Sequence, residues 1–329
     1  MTSESEFIAA LRCLALHPGA RGLLDDTAVL EIGGASLVIA HDMIVEGVHF
    51  LAGDSPADVA WKLVAVNLSD LAAKGARPIG VLLGYGLSDA EWDLAFVEGL
   101  GAALAAFEVA LLGGDTVAPP AGTPRTLGLT VLGEAGGQVP PRAGAEAGDD
   151  LWVTGTIGDA GAGLRLLTGD PEAVGELVER YRRPAPRLAA GRALAPLVRA
   201  MMDVSDGLLI DASRIAAASG VRVEIDLSLI PLSPACVNAL GEGRTARLAA
   251  ATSGDDYELL FSFASGQADA LVALAETLDL PFTRVGRFVP GSGIALNDGG
   301  EDFPLPSRLG YEHGRQHSTA AVESFGDAP

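Results

Sequence analysis

The sequence predicts a mixed α/β (α+β) chain of two domains, and three observations carry that prediction. Its 329 residues are about twice the usual domain length. Apolar runs of strand length alternate with helical stretches. A Gly-, Pro- and Ala-rich stretch without periodicity, residues 134–150, breaks the pattern near the middle. At 49% hydrophobic residues the chain can fill two cores, which excludes global disorder.

The first domain, residues 1–137, reads as strand, strand, long helix, strand, helix, strand. Its apolar runs are LVIAHDMIV (37–45), PIGVLLGYGL (78–87), FEVALLGG (107–114) and LGLTVLGE (127–134). The long helix is bracketed from about Pro56 to Lys74. Ser55 stands at the N-cap, Pro56 at the first helical position and Asp58 in the first turn, while Gly75 and Pro78 close the far end. At about 100° per residue, Asn67, Asp70 and Lys74 project within roughly 60° of one another. They share that side with Ala60, Leu63, Val64 and Leu71. A carboxylate in an apolar stripe must be paired or coordinate a metal. Two readings stand: a structural Asp70–Lys74 pair at i, i+4, or a helix aiming Asn67 and Asp70 into a ligand site.

The boundary is expected near Gly137. The second domain, 138–329, restarts with a strand (DLWVTG), then a Gly-rich turn and helix. It continues through MMDVSDGLL, VRVEIDL and DDYELLFSF to a Pro/Gly-punctuated end, with a frayed tail expected after about His317.

Charge narrows the function. The formal net charge of −21 repels nucleic acid and anionic membranes, and Lys62 and Lys74 are the two lysines of the sequence. Cys13 and Cys236 form no C-x-x-C pairing, so neither a disulfide framework nor a zinc knuckle is expected. The N-terminus carries acids where a signal peptide carries Lys or Arg, and no apolar run approaches ~18 residues. A soluble cytoplasmic protein is the expectation.

Asp25, Asp26, Asp42, Asp115, Asp203, Asp206, Asp255 and Asp256 all fall where an apolar strand begins or ends. Singly, each reads as a turn former or cap; Asp206 before Gly207 suits a helix cap. Together they are many hard oxygen ligands with little Lys to neutralise them, which points to Mg²⁺ rather than zinc. Magnesium held by few carboxylates usually accompanies substrate phosphates. The Gly-rich turn 155–164 follows a strand and opens a helix, a candidate anion cradle, and GGDT (113–116) lets backbone approach a ligand closely.

A Walker A loop, G-x-S-x-G, H-E-x-x-H and a Cys beside a His are absent from the sequence. Phosphoryl transfer to an anionic acceptor needs none of them, because positioning and metal charge do most of the work. His49 reads equally as a packed or a substrate-contacting residue. His313 and His317 read as solvated. Arg182, Arg183 and Arg187 form either a phosphate clamp or a charged helix end, with the balance toward a functional or interface role.

Taken together, LDDTAVL, HDMIVEGVHF, WKLVAVNLSDLAAKGARP, GGDT, VTGTIGDAGAGL, RYRRPAPR, MDVSDGLLIDASRIAAASG, SGDDYELLF and GYEH resemble thiamine-monophosphate kinase, in order from about Asp25 to His313. That family is one branch of a group that includes aminoimidazole ribonucleotide synthetase, selenophosphate synthetase and a hydrogenase-maturation protein. The resemblance implies direct transfer of the γ-phosphoryl group of ATP onto thiamine monophosphate, giving thiamine diphosphate, with several Mg²⁺ ions and no phosphoenzyme. It also implies a homodimer whose N-terminal sheets pair into a barrel, with a C-terminal α/β domain covering the nucleotide. Position by position, it implies metal ligands at Asp26, Asp42, Asp70, Asp115, Asp203 and Asp206, with Asp70, Asp115 and Asp206 catalytic. It implies ATP contacts at Gly114, Asp115, Arg142 and Ser205, and thiamine contacts at His49, Asp255 and Tyr311. Three positions depart from the family pattern: Leu24 before Asp25, where the family has Gly; His41 in place of Thr; and Asp255 in place of Glu. Two other readings stay open, a non-catalytic Mg²⁺–nucleotide sensor and another ATP-dependent synthetase of the same group. For selenophosphate chemistry, Cys13 lacks a nearby Lys.

Overall fold

The computed structural model describes residues 4–313. His317 and the tail expected to fray lie outside them. In chain order the helices are α1 (Glu4–Leu11), α2 (Pro56–Ala73), α3 (Ala90–Ala106), α4 (Asp159–Gly169), α5 (Glu176–Arg182), α6 (Leu188–Leu194), α7 (Leu208–Ser219), α8 (Pro234–Leu240), α9 (Arg244–Ala251) and α10 (Ala268–Leu278). The first sheet contains β1 (Ala28–Ile32), β2 (Ala35–Val45), β3 (Ala76–Gly86), β4 (Ala110–Val117) and β5 (Thr126–Ala135), in the order β1-β2-β5-β3-β4. The second contains β6 (Asp149–Thr154), β7 (Ala200–Asp203), β8 (Arg222–Asp226), β9 (Leu259–Ala264), β10 (Phe282–Val289), β11 (Gly293–Asp298) and β12 (Glu301–Phe303). Its order is β12-β11-β8-β10-β6-β9-β7.

The two sheets share no strand, and β5 ends at Ala135 while β6 starts at Asp149. The aperiodic Gly/Pro stretch is this connection. In the first sheet β3 and β4 are parallel and need a crossover, which α3 supplies.

Helix α2 is the hub. Ser55 caps it by accepting from the Asp58 N–H at 3.1 Å, and Pro56 occupies the first turn, where its missing N–H costs nothing. One side packs Leu63, Val64 and Leu71 with Val81, Leu129 and Val131 of the first sheet. The other side packs Ala72 and Ala73 with Leu194 of α6, Met201 and Phe261. Most of the helix is therefore buried all round, which is why its polar residues are desolvated. Small side chains permit the approach: a Cβ on Gly191 of α6 would fall 1.9 Å from the Ala72 carbonyl oxygen.

Candidate active site

Three polar residues of α2 reach three different elements. Asn67 accepts from the backbone N–H of Asp42 (2.9 Å) while its amide donates to the Leu63 carbonyl (2.9 Å), fixing the strand that carries Asp42. Ser69 donates to Asp203 at the end of β7, with an O–O distance of 2.5 Å. Lys74, just past the helix end, turns not to Asp70 but to Asp25, 2.5 Å away. The sequence alternative of an Asp70–Lys74 pair is therefore not what forms.

Asp70 is thereby left among like charges. Burial raises its pKa well above the ordinary carboxylate value, and Asp42, Asp203 and Asp26 push it further, with Lys74 opposing. Burial together with Asp26 and Asp206 raises Asp42 to about 6. Burial, Asp26, Asp211 and Asp42 raise Asp203 to about 8, against the Ser69 hydrogen bond. Five of the six acids implied as metal ligands, Asp26, Asp42, Asp70, Asp203 and Asp206, thus act on one another.

Asp115 is not among the main charges acting on that group. Its strand β4 is exposed along its whole length. By register Asp115 stands in the row of Gly84, Gly128 and exposed Met43, next to the row of Asp42, buried Leu129, Leu83 and Gly114. Gly114 itself packs tightly: a Cβ there would meet the Leu83 carbonyl oxygen at 1.9 Å.

Cations of the chain face several of these acids. Arg142 donates to Asp26, which keeps a buried Oδ2 without a hydrogen-bond partner. Arg214 of α7 donates to Asp206 and to buried Asp211, both at 2.6 Å. Asp206 does not cap α7 with its side chain; Asp211 instead accepts from the N–H groups of Asp206 and Gly207. Sequence reasoning missed Ser69, Asp211 and Arg214. The i, i+3 spacing of Asp211 and Arg214 was the available signal for that pair.

The implied thiamine contacts lie together beside this group. Lys62, buried on α2, donates to the His49 carbonyl oxygen (2.8 Å) and to Asp255 (2.7 Å), and its ammonium stands 3.9 Å over the Tyr181 ring. Asp255 adopts φ +70° and also accepts from the Tyr257 hydroxyl at 3.1 Å. The His49 ring lies 5.3 Å from that of His313, which lies 4.8 Å from that of Tyr311. Exposed His313, read as solvated, joins this ring cluster all the same. Burial lowers the His49 pKa despite Asp255. Ser205 accepts from the Asp255 N–H through its carbonyl (2.8 Å), tying that segment to the β7–α7 turn.

One expectation is corrected. The Gly-rich turn 155–164 is internally satisfied: the Gly158 N–H donates to partly buried Asp256 (2.9 Å), and Gly158 and Gly161 pack against Ala250 and Ser253. Its glycines serve close packing. The arginine cluster clamps elements together, with Arg182 on Asp54 (2.8 Å), Arg183 on Asp58 (2.5 Å) and Arg187 on Glu258 (2.7 Å).

Hard carboxylate oxygens, mutual repulsion and the orphaned Asp26 Oδ2 suit a divalent cation such as Mg²⁺. Among the described residues no group of three or more His, Cys, Asp or Glu is placed to hold a metal ion by itself. Open sites completed by substrate phosphates are the usual form for Mg²⁺.

This arrangement of two linked α/β halves with acids between them defines an AIR synthase related protein. The family model for the N-terminal domain of that group matches residues 24–135, and the model for its C-terminal domain matches 146–299. Thiamine-monophosphate kinase of Caulobacter vibrioides is 43% identical over 306 residues, covering 90% of this chain and 86% of that protein. A crystal structure of thiamine-monophosphate kinase from Stenotrophomonas maltophilia K279a is 40% identical, with a TM-score of 0.74, covering 90% of this chain and 96% of that one. AaThiL complexed with AMPPCP and TMP superposes with a TM-score of 0.82 at 29% identity, covering 94% and 97%. The chain belongs to the thiamine-monophosphate kinase family. Among the described residues no helix is long and apolar enough to cross a membrane.

Proposed function

We propose that the chain phosphorylates thiamine monophosphate to thiamine diphosphate with ATP as donor, in the cytoplasm, by direct in-line transfer. The observation that carries this reading is the gathering of five aspartates from both halves beside the His49–Asp255–Tyr311 cluster, in a chain 43% identical to a thiamine-monophosphate kinase. Asp26, Asp42, Asp70, Asp203 and Asp206 would hold several Mg²⁺ ions, which would supply positive charge to the phosphate oxygens. Asp115 is proposed as the sixth ligand, with Asp70, Asp115 and Asp206 as the catalytic acids. Gly114, Asp115, Arg142 and Ser205 would contact the nucleotide, and His49, Asp255 and Tyr311 the thiamine moiety.

Chemistry asks little of the protein beyond positioning. The acceptor is a phosphate oxygen, already anionic at neutral pH, so no side chain needs to remove a proton. Asn67 and Ser69 hold Asp42 and Asp203 at fixed distances from Asp70, and Lys62 holds Asp255 against the His49 loop. These buried contacts make the charges preorganised rather than mobile.

A homodimer is proposed on the exposed edge strand. Leu111, Leu112 and Val117 on β4 are each at least half exposed, with Leu82 exposed on the adjacent β3 and Met43 exposed on β2 of the same sheet. An unpaired apolar edge of this kind invites a partner strand, and a second copy would close the sheets into a barrel. The domains are proposed as residues 1–137, for metal, ATP and dimer contacts, and 138–329.

The test is ADP release from ATP and Mg²⁺ with and without thiamine monophosphate. Release that requires thiamine monophosphate and stops with EDTA is expected. Nucleotide binding with no turnover on adding thiamine monophosphate would overturn the assignment.

A further inference from the structure

Asp25 and Asp26 are adjacent acids at one turn, yet their surroundings differ. Every side-chain oxygen of Asp25 is engaged by the chain: Oδ1 by Lys74 (2.5 Å) and the Asp26 N–H (3.0 Å), Oδ2 by Arg21 (2.6 Å) and the Arg142 N–H (3.3 Å). Asp26 keeps one buried oxygen without a hydrogen bond, 3.9 Å from the same Lys74 ammonium. Lys74 is fully buried, and its remaining contact is a hydrogen bond to the Met201 carbonyl at 3.0 Å. A buried ammonium persists only where carboxylate and carbonyl partners hold it. It is therefore a fixed unit of positive charge at the edge of the acidic site.

We propose that Lys74 is a positioning residue that withdraws Asp25 from metal binding and leaves Asp26 as the sole metal-facing carboxylate of this turn. This inference rests on the reading that divalent cations bind beside Asp26. With the ammonium gone, Asp25 Oδ1 loses its charged partner while Arg21 and the Arg142 N–H still hold Oδ2, so Asp25 and Asp26 would each offer one carboxylate oxygen, and affinity for a hard cation rises with the number of charged ligands. Mg²⁺ would then replace the lysine in holding the turn.

The experiment compares melting temperatures of the wild-type chain, Lys74→Met and the double variant Asp25→Asn/Lys74→Met across a Mg²⁺ titration without nucleotide. Methionine keeps the apolar stem and removes the charge. Lys74→Met is expected to melt lower than wild type in EDTA, to recover with Mg²⁺, and to reach half its gain at a Mg²⁺ concentration lower by on the order of tenfold. The double variant, which has lost the extra carboxylate, should respond to Mg²⁺ as wild type does. A purely structural lysine would lower stability without changing the Mg²⁺ response. Parallel titrations for wild type and Lys74→Met would overturn the proposal. So would a Lys74→Met chain that stays unfolded in Mg²⁺ while the double variant folds. Failure of the functional reading would appear elsewhere, as absence of thiamine diphosphate formation by the wild-type chain.

Discussion

Replacing Lys62 with methionine tests how the proposed substrate end of the site is held. The Lys62 side chain is 2% exposed, and its ammonium donates to the His49 carbonyl and to Asp255 and lies over the Tyr181 ring. Removing one partner of a fully buried ion pair costs about 3–5 kcal/mol. Asp255, however, is 26% exposed and keeps the Tyr257 hydroxyl, so water and tyrosine recover part of that. A stability loss of about 2–3 kcal/mol is expected. The same change frees the His49 loop and Asp255 from each other, which loosens a preorganised pocket. Looser placement corresponds to a rise of roughly 10- to 100-fold in KM for thiamine monophosphate, while KM for ATP changes little. The assay is initial-rate thiamine diphosphate formation at saturating co-substrate, beside a thermal melt. A lower melting temperature with KM for thiamine monophosphate unchanged would show Lys62 to be structural and refute the reasoning.

Asp70→Asn should lower turnover at least about a hundredfold while melting at or above wild type in EDTA at pH 8. Burial and neighbouring acids raise the Asp70 pKa above its unfolded value, so ionised Asp70 opposes folding as pH rises; full activity in the variant would exclude the metal role. Gly191→Ala should destabilise by about 1–3 kcal/mol, because its Cβ would lie 1.9 Å from the Ala72 oxygen of α2; an unchanged urea midpoint would contradict the tight α2–α6 contact. Burial alone would raise the Asp25 pKa, but Lys74 and Arg21 outweigh it and hold it below 3.8. Its stabilising contribution is thus present above pH 3.8 and disappears as pH falls through the folded value. The stability difference between wild type and Asp25→Asn should accordingly shrink in acid, and a constant difference from pH 7 to pH 3 would count against it.

Much of the fold was legible because local signals and tertiary packing agree. Ser55, Pro56 and Gly75 bracket α2 in sequence as in structure, and four apolar runs became β2 to β5. The convergence of acids was legible as a charge imbalance, since few lysines meant that something else had to neutralise them. Partner choice was not legible. Lys74 meets Asp25 across 49 positions of sequence, and Lys62 meets Asp255 across 193, distances that no helical or strand period reports. A Gly-rich turn between a strand and a helix also suggested an anion cradle at 155–164, where Asp256, nearly 100 residues later, supplies the acceptor. Where a polar group's partner comes from the other half of the chain, pattern reasoning locates the group and leaves its role open.

The most direct measurement of the central claim is transfer of label from γ-³²P ATP in the presence of Mg²⁺ and thiamine monophosphate. Label is predicted in the terminal phosphate of thiamine diphosphate, one per ADP formed, with none retained on the protein. Labelled protein that chases into product, or label released as free phosphate, would contradict direct transfer at this cluster of aspartates.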